Sequence, residues 1–550
     1  MTNGGYMREQ KTIILALLSV GLFFSMALAL PALPVVVGDA AKTFKTPGHH
    51  PTGLCFDGTL LWLADRGTYR IYALDPETGE VKNILDAPGY DPRGLAWDGK
   101  LLWCSDGKEG WIYGINVETG VAEKILESNA PDPCGLAFDG EFLWMGDKGN
   151  KKLLKINRAD GMMHENIPAP SEQVNGLTFD GQYLWAADNA DDMLYRLDPA
   201  TGNVSVFLRS CGPYPYGICW DNVRQTLWNV DYQAEELYRL DLQTKEFMRK
   251  MDPNVYEWEI ISEFKNFGPD TVLDMDAFIA LPGNLNNQQI LGEISYSQPP
   301  TSFVTDKWGQ KFAQFHFPEV PANSFLKPSL KLKVRLYKTE YYIFPERVGS
   351  LDEIPKSLGI YLADGFKYDI KNPVIQEAVK AALGDENRPY WMMRKIFNYI
   401  IDKIDYNLKP LGGWNPAPTV LKRGTGSCSE YSFVFIAMCR AAGLPARYVG
   451  SVVVRGKDRG IDDVWHRWPE VFLPNYGWIP VDPSAEGGRP YPAGKARLIG
   501  EVGNRYLITT QSGGDSEYLD FYYNFNVRWK TKGKCKISSS QFGEFKPVKE

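Results

Sequence analysis

The chain has 550 residues, 44% hydrophobic and 23% charged, with a net charge of −7. Composition of this kind belongs to folded domains, and the length allows three or four of them. The acidic balance excludes a general nucleic-acid binder, and no run of like charge marks a disordered tail.

Residues 1–30 come first. Arg8 and Lys11 precede an uncharged apolar stretch from Ile13 to Leu30, and Ala27-Leu28-Ala29 has the small-x-small form of a cleavage site. This predicts a signal peptide or, uncleaved, an anchor of about 18 residues, just enough to span a bilayer. Either way the rest lies outside the cytoplasm, secreted or periplasmic. Membrane contact is expected only through an uncleaved N-terminus. The cysteines are Cys55, Cys104, Cys134, Cys211, Cys219, Cys428, Cys439 and Cys535. An oxidising compartment could pair some of the first five, but their spacing fixes no connectivity and matches no zinc pattern.

Residues 43–252 repeat. Gly53-Leu54-Cys55-Phe56-Asp57-Gly58 returns in modified form at Gly94, Gly135, Gly176 and Gly217, 41 residues apart at every step. Each unit continues with a Trp and an Asp three residues later: Trp62/Asp65, Trp103/Asp106, Trp144/Asp147, Trp185/Asp188 and Trp228/Asp231. A third short strand, a turn such as Glu77-Thr78-Gly79 and a fourth strand complete the unit. Four short strands per period of about 40 predict β-propeller blades. Five blades are expected. Strand-like segments at both Lys42–Lys45 and Glu246–Met251 leave one outer strand over, so a degenerate sixth blade is the alternative. The repeated Trp and Asp read as architecture. His49 and His50 are odd residues at a blade edge and read as solvated. The blade pattern resembles NHL and streptogramin-lyase-like propellers, which implies fold and a binding face for a protein or glycan.

Residues 253–349 alternate with period two, as in Tyr256, Trp258 and Ile260 or Leu330, Leu332, Val334 and Leu336, and predict a connecting β-sandwich. His316 reads as a strand residue.

Residues 350–510 carry the candidate chemistry. Helices are expected from Asn372-Pro373 to about Leu383 and from Tyr390 to Ile404. Ser427 with Glu430 three residues later forms a capping-box pattern, which puts Cys428 in the first turn of an apolar helix ending near Gly443. Unpaired amides and the positive end of the helix dipole favour a thiolate there. His466 then opens one strand and Asp482 ends the next. A thiol nucleophile needs that set: the histidine takes the proton, and the acid fixes the imidazole. Pro469 removes a ladder donor within the histidine strand and predicts an edge strand or bulge. Residues 511–550 read as a β-rich extension. The aromatic run between 503 and 530 is expected to finish the sheet or dock on the sandwich.

Residues 370–490 resemble the transglutaminase-like superfamily, a papain-like α+β cysteine fold. The resemblance rests on Gly-Thr-Gly-Ser-Cys428-Ser-Glu-Tyr, Arg440-Ala-Ala-Gly-Leu-Pro-Ala-Arg447, His466-Arg-Trp-Pro-Glu470 and Gly477-Trp-Ile-Pro-Val-Asp482. It implies Cys428 as nucleophile, His466 as base and acid, Asp482 as orienting acid, and Trp414 as the oxyanion-stabilising tryptophan. The backbone N–H of Cys428 is a further oxyanion donor. No cofactor or metal is expected, since no acidic loop has calcium-ligand spacing.

The expectation is thus an extracytoplasmic cysteine enzyme acting on amide bonds of a protein or peptide through a thioester. By analogy with bacterial members it is a peptidase or amidase. The alternatives are glutamine-to-amine cross-linking, or a scaffold whose working part is the propeller. The propeller is expected to hold a large substrate, with the β-sandwich as a spacer between it and the catalytic part.

Overall fold

The computed structural model describes residues 35–409, 413–485 and 491–549. The expected signal or anchor lies outside them. Among the described residues, no helix is long and apolar enough to cross a membrane.

The repeats form five four-stranded antiparallel sheets. In the first, Pro51–Phe56, Leu61–Asp65, Arg70–Leu74 and Val81–Asp86 lie side by side, and the next three follow the same plan. The fifth takes Pro215–Asp221, Thr226–Asp231 and Glu236–Leu240 from the last repeat and its outer strand, Ala40–Lys45, from before the first. The second strand-like segment, at 246–251, is not left over. It opens the long strand Met248–Pro269 of the next region.

Inner strands approach so closely that only glycine fits between them. A Cβ on Gly135 would lie 2.5 Å from the Leu177 nitrogen, and one on Gly217 would lie 2.3 Å from the Thr52 carbonyl. The second of these contacts joins the fifth repeat to the first, so the sheets form a closed, propeller-like ring.

Within each sheet the buried tryptophan donates its indole N–H to the aspartate that opens the repeat's turn, from Trp62 to Asp57 at 2.7 Å through Trp228 to Asp221 at 3.1 Å. The other repeated aspartate ties loops together. Asp65 accepts backbone amides from His50 at 2.7 Å and Thr68 at 2.8 Å. Buried polar groups satisfied in this way repeat with the period, as an architectural role requires.

Two further sheets face each other over a shared core that includes Trp258, Ile260, Phe264, Ala277, Ile279, Phe315, Leu332 and Val334. Met248–Pro269 and Ser329–Tyr341 are central to one, and Val272–Ala280 and Lys311–Val320 to the other. Each takes one strand from the C-terminus: Cys535–Pro547 pairs with Met248–Pro269, and Phe525–Thr531 with Val272–Ala280.

Among the described residues, the C-terminal region has four longer helices, α1 Pro373–Leu383, α2 Pro389–Lys403, α3 Ala417–Arg423 and α4 Cys428–Ala441, and a fifth, short one. Helix α4 is buried almost throughout. Phe433, Phe435, Ile436 and Met438 join a core with Ile396 and Phe397 of α2 and with Tyr448, Val471 and Ile479 of a four-stranded sheet. That sheet runs Gly477–Pro480, His466–Leu473, Ala446–Val453, Tyr506–Ser512.

The strand of Pro469 is therefore interior, not the expected edge. Proline is accommodated because the Gly477–Pro480 strand ends opposite Glu470, and the Val481 amide then goes to the Pro469 carbonyl at 2.9 Å.

The spacer expectation is also overturned. The ring packs directly on the C-terminal region through the outer strand of its fourth sheet, Val204–Arg209. The Tyr390 hydroxyl donates to the Ser205 carbonyl at 2.7 Å, and Ala493 and Ala496 of the short helix α5, Pro492–Ala496, join the ring's core. The ring also meets the end of Ser329–Tyr341 and the segment after it: Arg209 reaches the buried Glu340 at 2.8 Å, and Arg196 pairs in bidentate fashion with Glu346 at 2.8 Å.

Candidate active site

Helix α3 ends at Gly424, whose φ of 73° is the left-handed conformation that glycine supplies at a helix C-terminus. The chain then runs through Thr425–Gly426, which pairs in parallel with Asp405–Tyr406, and enters α4. Ser427 is the N-cap, and Glu430 accepts its backbone amide at 3.2 Å. Glu430 is fully buried, and it also holds the Asn415 amide at 2.9 Å and the Arg423 guanidinium at 2.9 Å. One carboxylate thus ties the start of α4 to the loop that carries Trp414.

Cys428 lies at the first turn of α4, 7% exposed. Its thiol is within interacting range of the His466 imidazole and of the backbone N–H of Arg467. On the far side His466 Nε2 meets Asp482 Oδ2 at 2.7 Å. The other Asp482 oxygen accepts the Ser484 hydroxyl at 2.7 Å. The structure therefore brings Cys428, His466 and Asp482 into one line, with the imidazole in the middle.

The charges reinforce one another. Burial alone would push the Cys428 thiol up, but the hydrogen bond and charge of His466, helped by Arg467, hold it below the ordinary thiol range. Burial would lower His466. The Asp482 carboxylate, then its hydrogen bond, then Cys428 hold it well above the ordinary imidazole range. Burial would likewise raise Asp482, yet His466 and Ser484 keep it low. The set is poised as a thiolate–imidazolium pair backed by a carboxylate.

Trp414 reaches the same neighbourhood. Its ring stacks on Tyr523 at 5.6 Å and lies 4.9 Å from the Arg467 guanidinium. Its carbonyl accepts the Lys367 ammonium. Trp465 directly precedes His466 with a φ of 59°, an uncommon conformation for a bulky residue, and its ring packs on Phe525.

Sequence reasoning missed Tyr406. It comes in on the two-residue bridge beside Gly426, half exposed at the mouth. Burial of its hydroxyl, then the charges of Cys428 and Asp482, push its pKa up to about 12. It also missed Arg467, which is taken up below. The other four histidines lie elsewhere: His49 pairs with Glu235, His50 bonds Tyr232, His164 stacks on Phe142 at 4.9 Å, and His316 bonds Asp276. All eight cysteines are free thiols. Among the described residues no cluster of His, Cys, Asp and Glu has the geometry to hold a metal.

A cavity of about 530 Å³ lies behind the sheet, lined by Arg447, Glu470, Trp478 and Asn286, and Cys428 is not part of its wall.

Comparison with known proteins finds two matching stretches in the chain. Residues 376–483 match the transglutaminase-like superfamily, and residues 134–246 match a repeat of unknown function. An uncharacterised protein of Haemophilus influenzae is 28% identical over 130 residues, 20% of this chain and 35% of its own length. One from Mycobacterium tuberculosis is 28% identical over 143 residues, 24% of this chain and 46% of its own. The chain thus spans less than half the length of these relatives. Among solved structures, the Myxococcus xanthus glutaminyl cyclase is 16% identical, covering 38% of this chain and 98% of its own, with a TM-score of 0.35. A presumed cysteine protease of Cytophaga hutchinsonii is 13% identical, covering 55% of this chain and 100% of its own, with a TM-score of 0.38.

Proposed function

We propose that the transglutaminase-like domain at 376–483 is a cysteine enzyme that opens amide bonds of a protein or peptide through a thioester. The observation that carries this is the His466 imidazole joining the Cys428 thiol to the Asp482 carboxylate. In this reading the Cys428 thiolate attacks the carbonyl carbon, and the backbone N–H of Cys428 holds the oxyanion, with Trp414 as second donor. His466 gives its proton to the leaving amine as the C–N bond breaks. The thioester is then attacked by water, whose proton returns to His466. The C–S bond breaks, releasing the acid and restoring the thiolate. Asp482 holds the imidazole in the orientation both transfers need.

Hydrolysis is preferred to transfer because solvent reaches the rim of the site, where Tyr406 and Tyr522, the latter beside Trp414, are 49% and 53% exposed. An amine acceptor outcompetes water best in a dry site. The reading further takes the five sheets as blades of a propeller, the two facing sheets as a sandwich, and residues 1–30 as the export signal. The propeller serves for recognition of a protein or glycan, since it docks by an edge and leaves its ring faces unused.

The test is alkylation by iodoacetamide with mass mapping. Cys439 is fully buried and cannot serve as reference, whereas Cys535 is partly exposed. Cys428 should react faster than Cys535 at neutral pH. Equal rates in the native protein overturn the assignment. Incubation of a glutamine peptide with a fluorescent amine separates the two outcomes of the thioester: incorporation faster than deamidation or cleavage would make this a transferase. A Cys428→Ala protein that keeps every biological effect would instead favour a scaffold.

A further inference from the structure

Arg467 follows His466 on the strand, so alternation sends its side chain to the opposite face, the one that α4 covers. It is wholly buried. Its guanidinium carbon lies 4.2 Å from the ring centre of Tyr523, 4.3 Å from Tyr448, 4.9 Å from Trp414 and 5.1 Å from Phe433. Aromatic faces attract a cation but do not neutralise it. One amino group donates to the Phe521 carbonyl, while Nε and Nη1 meet no acceptor among the described residues.

A buried charge without a counter-charge is strongly unfavourable, and a guanidinium keeps its charge throughout the working pH range. Arg447, on the neighbouring strand of the same sheet, shows the ordinary solution, a close pair with Glu470 at 2.7 Å. Arg467 has no such carboxylate. It packs on Phe433 of α4, the helix that opens with Cys428, and the anion within its reach is the sulfur of Cys428.

We propose that Arg467 is a positioning residue for the reaction: its caged guanidinium and its backbone N–H hold Cys428 as a thiolate whether or not His466 carries a proton. This rests on the reading of Cys428 as nucleophile. It divides the work of the pair. Arg467 keeps the sulfur ionised, and His466 is left to move protons. Other groups face the two residues. Tyr406 and Tyr523 look onto Cys428, and Asp482 lies beyond the imidazole. Tyr368 and Lys367, from the segment before α1, look onto Arg467. The Lys367 ammonium is held by the Trp414 carbonyl.

Alkylation needs only the thiolate, whereas amide cleavage also needs the imidazolium as acid. Towards alkaline pH, alkylation of Cys428 should therefore stay on its plateau while amide turnover falls.

The experiment is the pH dependence of iodoacetamide alkylation of Cys428 in the full chain, with Cys535 as reference, in native protein, Arg467→Met, Arg467→Lys and His466→Asn. Native protein should show an inflection below that of a free thiol, about 8.5. Arg467→Met should raise it by roughly one to three units, slowing alkylation at pH values below the new inflection. Arg467→Lys, which keeps the charge, should restore most of the shift. An unmoved inflection in Arg467→Met, with near-UV dichroism showing a native fold, overturns the proposal and leaves the nucleophile standing. If Arg467→Met does not fold, His466→Asn decides. An inflection still below about 8.5 sustains Arg467 as the remaining source of stabilisation, and one at or above that value overturns it. Should native Cys428 react no faster than Cys535, the nucleophile itself is lost, and this proposal with it.

Discussion

The outer strands of the third and fourth repeats occupy the same place in the period and do opposite things. Met163–Pro168 reads Met-His-Glu-Asn-Ile-Pro and is exposed along most of its length. Val204–Arg209 reads Val-Ser-Val-Phe-Leu-Arg, and only Arg209 is not buried. The first is a charged, solvated edge of the kind that prevents further pairing. The second seats both the C-terminal region and the segment at 342–344 that leads into it. Phe207, opposite Asn166 in the repeat, meets Tyr342 edge-on at 6.1 Å. A propeller-like ring thus needs only a few residues in one of its outer strands to become half of an interface. The inner three strands can keep the common pattern.

A wider contrast frames the predictions. In the ring, each job is done five times by equivalent residues, so loss of one should be graded. In the C-terminal region each job is done once. The largest effect should therefore come from Cys428→Ala. Turnover of an amide substrate should fall by at least about 10⁴-fold, while the unfolding midpoint barely moves. Residual turnover near the native level would place the chemistry elsewhere in the chain.

Next is an exchange between the two outer strands. Phe207→Asn imports the third repeat's residue into the fourth and should destabilise by about 3 kcal/mol or more, because Phe207 is 5% exposed. The reverse change, Asn166→Phe, should stay within about 0.5 kcal/mol. Denaturant titration measures both. Similar costs for the two would mean that the fourth strand is not a docking edge. The same contact makes a fragment beginning near residue 253 a poor test of substrate tethering. Such a fragment would bare Tyr342, Phe344, Ala493 and Ala496, all of which pack into the ring's core.

The apolar fourth strand was visible in the sequence, but a periodic reading looks for what the repeats share, and this strand matters for what it does not share. The candidate site divides in a similar way. Cys428, His466 and Asp482 were legible because each is announced locally, by a capping box, a strand start and a strand end. Tyr406 was not, since it reaches the site through a two-residue parallel bridge to a segment about 20 residues on. Nor was Arg467, whose cage draws on Trp414, Phe433, Tyr448 and Tyr523, residues remote in sequence. Pro469 misled for a related reason. Its tolerance depends on where the neighbouring strand stops, which the proline's own surroundings do not reveal.

A smaller effect is expected inside the ring. Asp139→Ala removes the acceptor of the Trp144 indole at 2.9 Å and of two turn amides, at 2.9 Å and 2.7 Å. The cost should be about 1–3 kcal/mol, the usual penalty for a buried donor left unpaired. The alkylation rate of Cys428 should not change. A fall in that rate would show that the ring and the site are coupled, against the contrast drawn above.

The smallest effect concerns ring closure. Glu77, in a turn of the first repeat, gathers Lys42 of the closing strand at 2.6 Å and Arg224 of the fifth repeat at 2.8 Å. Hydrogen bonds from Lys42 and Arg224 hold its carboxyl down to about 2. A folded value below the unfolded one means stability that is present above the unfolded pKa, about 4.3, and lost as pH falls towards 2. Yet the Glu77 side chain is 54% exposed, so water and salt screen these pairs and the shift overstates their worth. Glu77→Gln should therefore cost less than about 1 kcal/mol at pH 7, less still in 1 M salt, and nothing near pH 2. The backbone ladder of Ala40–Lys45 on Glu236–Leu240, with Phe44 stacked on Trp228 at 6.0 Å, should keep the ring shut without the ions. A loss of several kcal/mol in Glu77→Gln would reverse that order and make the charges, rather than the shared strand, the clasp of the ring.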